Sequence, residues 1–136
     1  MKRRVVITGM GAIAPNGIGL KNFWEATRNG VSGVAPITLF DASPFPSRIA
    51  SEVKGFDPAA FGLSRVQIER TDRCAQFALA ATRMAVEHAA LDFRHMDRER
   101  AGVCIATAIS GVGTMEQGFV RLSEGGKKLV TGRGGW

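Results

Sequence analysis

Three kinds of residue in this 136-residue sequence could carry chemistry: a glycine-rich turn, two cysteines and two histidines. Gly9-Met10-Gly11-Ala12-Ile13-Ala14 matches the dinucleotide-binding pattern G-x-G-x-x-[GA] directly after a predicted strand. That pattern holds a pyrophosphate only where its glycines open a helix. Here Pro15-Asn16-Gly17 delays the helix to about Leu20, and the expected acidic residue is missing at about twenty positions on. The pattern is more typical of a structural turn, so nucleotide binding remains the weaker alternative.

The cysteines and histidines are not arranged as a catalytic or metal site. Cys74 and Cys104 form no CxxC pair, so we expect free thiols in a reducing compartment. Cys104 falls in an apolar predicted strand and Cys74 inside a predicted helix, which favours structural roles over nucleophilic ones. His88 lies on the apolar face of that helix and His95 in a charged loop, and neither has a ligand partner four residues on. We predict no metal site.

Predicted strands alternate with predicted helices, which is typical of an α/β fold. Residues 5–8 and 101–107 are β-branched or small apolar runs that predict buried strands. Helices are expected over 20–29, 64–91 and 114–123, with Gly30 ending the first. The helix over 64–91 carries an alanine-rich stripe, so another element could approach it closely. Prolines and glycines predict a long surface segment at 31–63 with a short strand at 49–53.

Composition bounds the class of protein. The chain is 45% hydrophobic and 22% charged, enough apolar content for one folded domain, which excludes disordered and fibrous proteins. The net charge of +6 is scattered and the chain has no Tyr, so we expect no nucleic-acid partner. No apolar run approaches the roughly 18 residues of a membrane span, and the N-terminus does not fit a signal peptide. We therefore expect a cytoplasmic protein with no membrane partner.

Several short motifs occur in an order that resembles one known family. They are Arg3-Arg4-Val5-Val6-Ile7-Thr8-Gly9-Met10-Gly11, Pro15-Asn16-Gly17, Phe23-Trp24, Gly30-Val31-Ser32-Gly33, Phe40-Asp41 and Ser110-Gly111-Val112-Gly113. Together with the helix over 72–91, they resemble the N-terminal part of a β-ketoacyl-acyl-carrier-protein synthase, most like the type II elongating condensing enzymes. We expect residues 1–128 to form part of that N-terminal domain and residues 129–136 to be a divergent glycine-rich tail.

The resemblance implies a thiolase-like α/β fold, of which this chain would be an incomplete N-terminal half with a mixed sheet packed between helices. It implies a homodimer, no cofactor, and a decarboxylative Claisen condensation of an acyl thioester with malonyl-carrier protein in fatty acid or polyketide biosynthesis. The nucleophilic Cys and two catalytic His of the family cannot be placed here, so we assign no catalytic residue and expect the chain alone to be inactive. The alternative is a non-catalytic chain-length-type partner or scaffold that borrows its active site from another polypeptide.

The resemblance also implies two kinds of binding residue. Ile109, before the Ser110-Gly111 turn, matches a position that lines the acyl-chain pocket near the dimer interface. Four basic residues match positions that face the acidic acyl carrier protein, namely Arg65, Arg70, Lys127 and Lys128. Val66 and Glu69 depart from that basic pattern.

Overall fold

The computed structural model describes residues 3–124. Its regular elements in chain order are β1 (Ile13–Ala14), β2 (Gly17–Ile18), α1 (Leu20–Arg28), β3 (Val34–Pro36), β4 (Ile49–Ser51), α2 (Arg65–Arg70), α3 (Arg73–His88) and α4 (Val112–Ser123), with 3₁₀ turns at Pro58–Phe61 and Arg98–Arg100. The chain divides into two compact units. The first contains the residues up to Asp57 together with Ala80–Leu91, and the second contains Pro58–Leu79 together with the described residues from Asp92 onward.

In the first unit, β1 and β2 form an antiparallel hairpin whose two turn residues are Pro15 and Asn16. This confirms the turn predicted from Pro15-Asn16-Gly17. The Asn16 amide donates a hydrogen bond to Thr27 Oγ1 (3.4 Å), and the Thr27 hydroxyl donates to the Phe23 carbonyl (2.7 Å). These two bonds link the hairpin turn to α1.

The segment Gly9-Met10-Gly11 lies directly against the C-terminal half of α3. A Cβ atom at Gly9 would overlap the carbonyl oxygen of Ala85 and lie 2.6 Å from the Cβ of Ala89. A Cβ atom at Gly11 would overlap the carbonyl oxygen of Ala81. The close approach predicted from the alanine stripe is therefore present, and it requires both glycines as well as the alanines.

A hydrogen bond joins the same segment to α3 between the two glycines. The backbone N–H of Met10 donates to Nδ1 of His88 over 3.0 Å. This bond gives the amide of Met10 a partner, as a backbone donor next to a packed helix requires. His88 is exposed and acts here as a hydrogen-bond acceptor, whereas the sequence predicted apolar packing.

Helices α1 and α3 end in the same motif. The second residue after each helix, Gly30 for α1 and Ala90 for α3, has a positive φ of 66° and 49° respectively. The N–H of the following residue, Val31 or Leu91, bonds back to a carbonyl in the last turn, as in a Schellman motif. Gly30 ends α1 as predicted. Ala90 adopts the same conformation with a side chain, which costs about 1 kcal/mol.

A carboxylate organises the connection between β3 and β4, which pair antiparallel. Glu52, directly after β4, accepts hydrogen bonds from the Thr38 N–H (2.9 Å), the Thr38 hydroxyl (2.6 Å) and the Leu39 N–H (3.2 Å). Its side chain is only 8% exposed. The bonds from Thr38 hold the pKa of Glu52 below its usual value. The predicted strand at 49–53 is present as β4, and the segment over 31–63 is more ordered than we expected.

In the second unit, a charged loop follows α3. The Arg94 guanidinium donates to both carboxylate oxygens of Asp92 (3.0 and 2.9 Å), and His95 Nδ1 lies 3.0 Å from Asp92 Oδ2. These contacts, those of Arg94 first, lower the pKa of Asp92 to about 2. The loop position predicted for His95 is therefore confirmed, and its partner is a carboxylate.

The two predicted buried strands are not strands in the described part of the chain. Residues 5–8 and 101–107 belong to no sheet, and Val5, Ile7 and Val103 are 95%, 81% and 86% exposed. A β-strand needs a neighbouring strand to take its backbone hydrogen bonds, and the two hairpins present are each complete with two strands. The composition of these segments suits burial, but nothing among residues 3–124 covers them.

The predicted helix over 64–91 is divided in two. Helix α2 ends at Arg70 because Thr71 is extended (φ −116°, ψ 149°), and α3 begins at Arg73. Asp72 provides the start signal: its Oδ1 accepts from the Ala75 N–H over 2.8 Å, as an N-cap does. The third predicted helix is confirmed as α4, which begins at Val112. None of the helices in residues 3–124 has the length and apolarity needed to cross a membrane.

The close approach of Gly9 to α3 predicts that Gly9→Ala destabilises the protein. The added methyl group must displace the Ala85 carbonyl or the Ala89 side chain, so the free energy of unfolding should fall by about 1–3 kcal/mol. Urea unfolding followed by circular dichroism measures this change. Gly102→Ala is the matched control, because a Cβ there meets nothing within 4 Å. Equal effects of the two substitutions would contradict the packing described.

Candidate functional site

The corner between α2 and α3 is held by polar contacts in the second unit. Ser64 and Gln67 form a capping box that begins α2, since the side chain of each accepts from the backbone N–H of the other. At the other end of α2, the amide group of Gln76 donates to the carbonyls of Ile68 (3.1 Å) and Thr71 (3.0 Å). Helix-terminal carbonyls lack partners within their own helix, so Gln76 of α3 satisfies those of α2.

A second turn lies against this corner. Gly111, the N-cap of α4, has a left-handed backbone (φ 71°, ψ 12°). A Cβ atom there would lie 3.0 Å from Oδ2 of Asp72, the residue that caps α3. Glycine is therefore required at 111 by its φ angle and by the nearby carboxylate. The contact brings the Ser110-Gly111-Val112-Gly113 motif beside the start of α3.

Together the corner and the turn enclose an open cleft of about 1010 Å³ within the second unit. Its lining includes four apolar side chains, Ile68, Ile109, Val112 and Met115. Its polar lining includes Glu69, Arg70, Asp72, Arg73 and Gln117. The cleft thus combines an apolar surface with two carboxylates and two guanidinium groups, which suits a ligand that has a hydrocarbon part and a charged or polar part.

The structure brings two of the predicted binding residues together at this cleft. Ile109 lines it and is 75% exposed, so its side chain is available to a ligand. Arg70 lines the same cleft from the end of α2. Arg65 lies at the start of α2 and is not among the lining residues. Lys127 and Lys128, the other two predicted carrier-binding residues, lie outside the described residues.

Glu69 changes the electrostatics of Arg65. The Arg65 Nε donates to Glu69 Oε1 over 2.8 Å, one helical turn along α2. The Arg73 guanidinium lies 5.0 Å from the centre of the Phe77 ring, a cation–π contact that keeps its charge at the start of α3. Of the two described carrier-binding candidates, Arg65 and Arg70, Arg65 is therefore partly neutralised by Glu69.

The two cysteines are free, as predicted, but Cys104 does not lie in the buried strand that we expected. Cys74 and Cys104 are exposed free thiols. Cys74 is the second residue of α3 rather than an interior one, because the predicted long helix is divided, and its Sγ lies 3.9 Å from Thr107 Oγ1. Cys104 is exposed because residues 101–107 have no neighbouring strand. Among the described residues that line the cleft none is a histidine, so Cys74 has no imidazole base there.

Gln76 and Asp72 are the site residues that sequence reasoning missed. Both lie inside the stretch predicted as one helix, where a Thr-Asp pair is itself a stop-and-start signal. The glycines of the dinucleotide-like pattern also have a structural account, since Gly9 and Gly11 pack on α3 and the next helix begins only at Leu20. That geometry lacks the glycine-to-helix junction on which pyrophosphate binding depends.

Comparison with known proteins gives consistent matches along almost the whole chain. The family model described as "Beta-ketoacyl synthase, N-terminal domain" matches residues 2–132. A granaticin polyketide β-ketoacyl synthase of Streptomyces violaceoruber is 43% identical over 130 residues, which are 96% of this chain and 31% of that protein. The chain therefore spans less than a third of the length of this relative.

Two solved structures have the same fold over this chain. One is the ishigamide ketosynthase/chain length factor, with a TM-score of 0.71 and 31% identity, over 92% of this chain and 31% of the other. The second is a type II polyketide synthase acyl-carrier protein in complex with its ketosynthase bound to a hexaketide. It has a TM-score of 0.71 and 37% identity, over 93% of this chain and 29% of the other. These matches support the thiolase-like assignment and an incomplete N-terminal half.

The corner predicts that Gln76→Leu destabilises the second unit. The carbonyls of Ile68 and Thr71 would lose their donor while remaining partly buried, at a cost of about 1–3 kcal/mol in the free energy of unfolding. Amide hydrogen exchange across α2 and the start of α3 measures the loss locally. Gln117→Leu, at a glutamine of α4 that lines the cleft, should leave exchange in α2 unchanged. Unchanged exchange in Gln76→Leu would contradict the role given to this side chain.

Proposed function

Because this chain belongs to the β-ketoacyl synthase family and matches part of its N-terminal domain, we propose that it is part of an acyltransferase that elongates acyl chains in fatty acid or polyketide biosynthesis. In this reaction, malonyl-carrier protein loses carbon dioxide to give a carbanion. The carbanion attacks the carbonyl carbon of an enzyme-bound acyl thioester, a carbon–carbon bond forms, and the enzyme thiolate leaves. The observation that carries the proposal is the single cleft lined by both Ile109 and Arg70.

The cleft supplies the two interactions that an acyl group on a carrier protein requires. Its apolar residues Ile68, Ile109 and Met115 can cover a hydrocarbon chain, and burying apolar surface contributes about 25 cal/mol per Å². Arg70 at its edge can contact an acidic protein surface. An acyl carrier protein is therefore the partner we propose, and the solved carrier-protein complex of a similar ketosynthase supports it.

We propose that this chain and the rest of the enzyme supply different parts of the active site. The family's nucleophilic Cys and two His have no matching positions here, so this domain would bind and position the acyl group. The thiolate and histidines would come from the rest of the enzyme. We further propose that the assembly is a homodimer, as the resemblance implies. A cytoplasmic location is in keeping with two unpaired thiols.

A second candidate is a chain-length-type partner with no catalytic residues of its own. The similarity to a ketosynthase/chain length factor supports this candidate. The two candidates differ in what must accompany the chain: a chain-length-type partner binds a separate polypeptide that carries the Cys and His residues. Co-purification of such a polypeptide from the native source would favour the second candidate over the first.

The first prediction of the proposed function concerns acyl binding. A fluorescently labelled carrier protein bearing a long acyl chain should bind this chain saturably, and more tightly than the carrier without an acyl group. Ile109→Ser should weaken acyl-carrier binding by about tenfold, through loss of apolar contact, and leave binding of the bare carrier unchanged. Val103→Ser is the matched control, because Val103 is also a highly exposed β-branched residue but does not line the cleft. Absence of saturable binding would overturn the proposal.

A second prediction concerns catalysis. With acyl- and malonyl-carrier protein as substrates, the 136-residue chain alone should release no carbon dioxide above the uncatalysed rate, because it lacks the nucleophile and histidines. Radiolabelled malonyl-carrier protein makes the measurement sensitive. Alkylating Cys74 and Cys104 should change nothing. Condensation product from the purified chain would show that one of its own residues is a nucleophile.

A further inference from the structure

The surface of α2 carries two arginines and one glutamate, of which Arg65 and Glu69 are unfavourably placed for the helix itself. Arg65 is the first helical residue and Glu69 lies in the last turn. The helix dipole favours negative charge at the N-terminal end and positive charge at the C-terminal end, so both residues stand at the wrong end. A stabilising role in α2 therefore does not explain the pair.

The ion pair between them is also a weak one. Its two side chains are 90% and 55% exposed. Exposed pairs of this kind contribute little, and an Arg that precedes a Glu by four residues is the less favourable order. The bond uses Nε of Arg65, whereas a guanidinium presents further N–H donors on its two Nη atoms. An incoming carboxylate could therefore replace Glu69 or share the guanidinium with it.

We propose that Glu69 is an internal counter-ion that sets the affinity of the α2 face for an acidic carrier protein. This inference rests on the proposed function and concerns Glu69, which lines the same cleft as Arg70. Glu69 offsets one of the two positive charges, Arg65 and Arg70, that α2 presents. It lowers the affinity for a carrier protein that must dissociate after each transfer, and it slows electrostatic association with acidic proteins in general.

The neighbouring carboxylate does not share this role. Asp72 is already engaged, because its Oδ1 accepts from the Ala75 N–H and its Oδ2 lies at the Gly111 turn. Arg73 contacts the Phe77 ring. Glu69 is therefore the acidic residue of this corner that pairs with an exposed arginine, and a carboxylate of the carrier protein could take its place on that arginine.

The test is a comparison of Glu69→Gln with Glu87→Gln in the full 136-residue chain. Both substitutions remove one negative charge from an Arg–Glu pair four residues apart, but Glu87 pairs with Arg83 in α3, in the other unit. Binding to purified acyl carrier protein is measured by fluorescence anisotropy in low and high salt. Circular dichroism checks that helix content is unchanged in each variant.

Glu69→Gln should bind the carrier about two- to fivefold more tightly than the unaltered chain at low salt, and the gain should disappear at about 0.5 M salt. Glu87→Gln should give a smaller gain. In an Arg65→Gln background, the effect of Glu69→Gln should fall to that of Glu87→Gln, because the arginine that it releases is gone.

Two results overturn the inference while leaving the proposed function intact. They are an equal gain from Glu69→Gln and Glu87→Gln, and a gain from Glu69→Gln that is the same with and without Arg65. If the unaltered chain binds no carrier protein at low salt and neither does Glu69→Gln, the proposed function fails as well, so the two failures are distinguishable.

Discussion

The contact between the backbone of Gly9-Met10-Gly11 and α3 is the constraint on which the first unit depends. Two carbonyl oxygens of the helix lie where Cβ atoms would be, and the Met10 N–H reaches His88 between them. Such an approach is possible only when both surfaces lack bulk, so the glycines on one side and Ala81, Ala85 and Ala89 on the other form one structural feature. Residues that looked like a phosphate-binding pattern have a packing role instead.

Turn, cap and periodicity signals predicted the elements whose backbone hydrogen bonds are made within a short stretch of the chain. The Pro15-Asn16 turn, the end of α1 at Gly30, the strand β4 and the helix α4 all follow from nearby residues. The buried strands at 5–8 and 101–107 were wrong for this chain, because a strand depends on neighbours that the local sequence does not specify. The break at Thr71 and Asp72 was missed because the apolar spacing continues across it.

The sequence predicted only some residues of the candidate site, and it did so by resemblance rather than by local signals. Ile109 and Arg70 came from resemblance, and only the structure shows that they line one cleft. The residues that shape the cleft, Gln76 and Asp72, act through hydrogen bonds to backbone groups on either side of the break between α2 and α3. Such bonds leave no periodic pattern. The pairing of Arg65 with Glu69 is visible in the sequence as a four-residue spacing, but its effect on a docking surface depends on where α2 begins and ends.

The exposed apolar segments at 5–8 and 101–107 have a practical consequence. Each presents main-chain donors and acceptors along a run of residues suited to a buried sheet. Another chain could therefore pair with either segment as an added strand. A separately produced polypeptide that carries complementary strands could dock along them by reassembly, as in a split reporter.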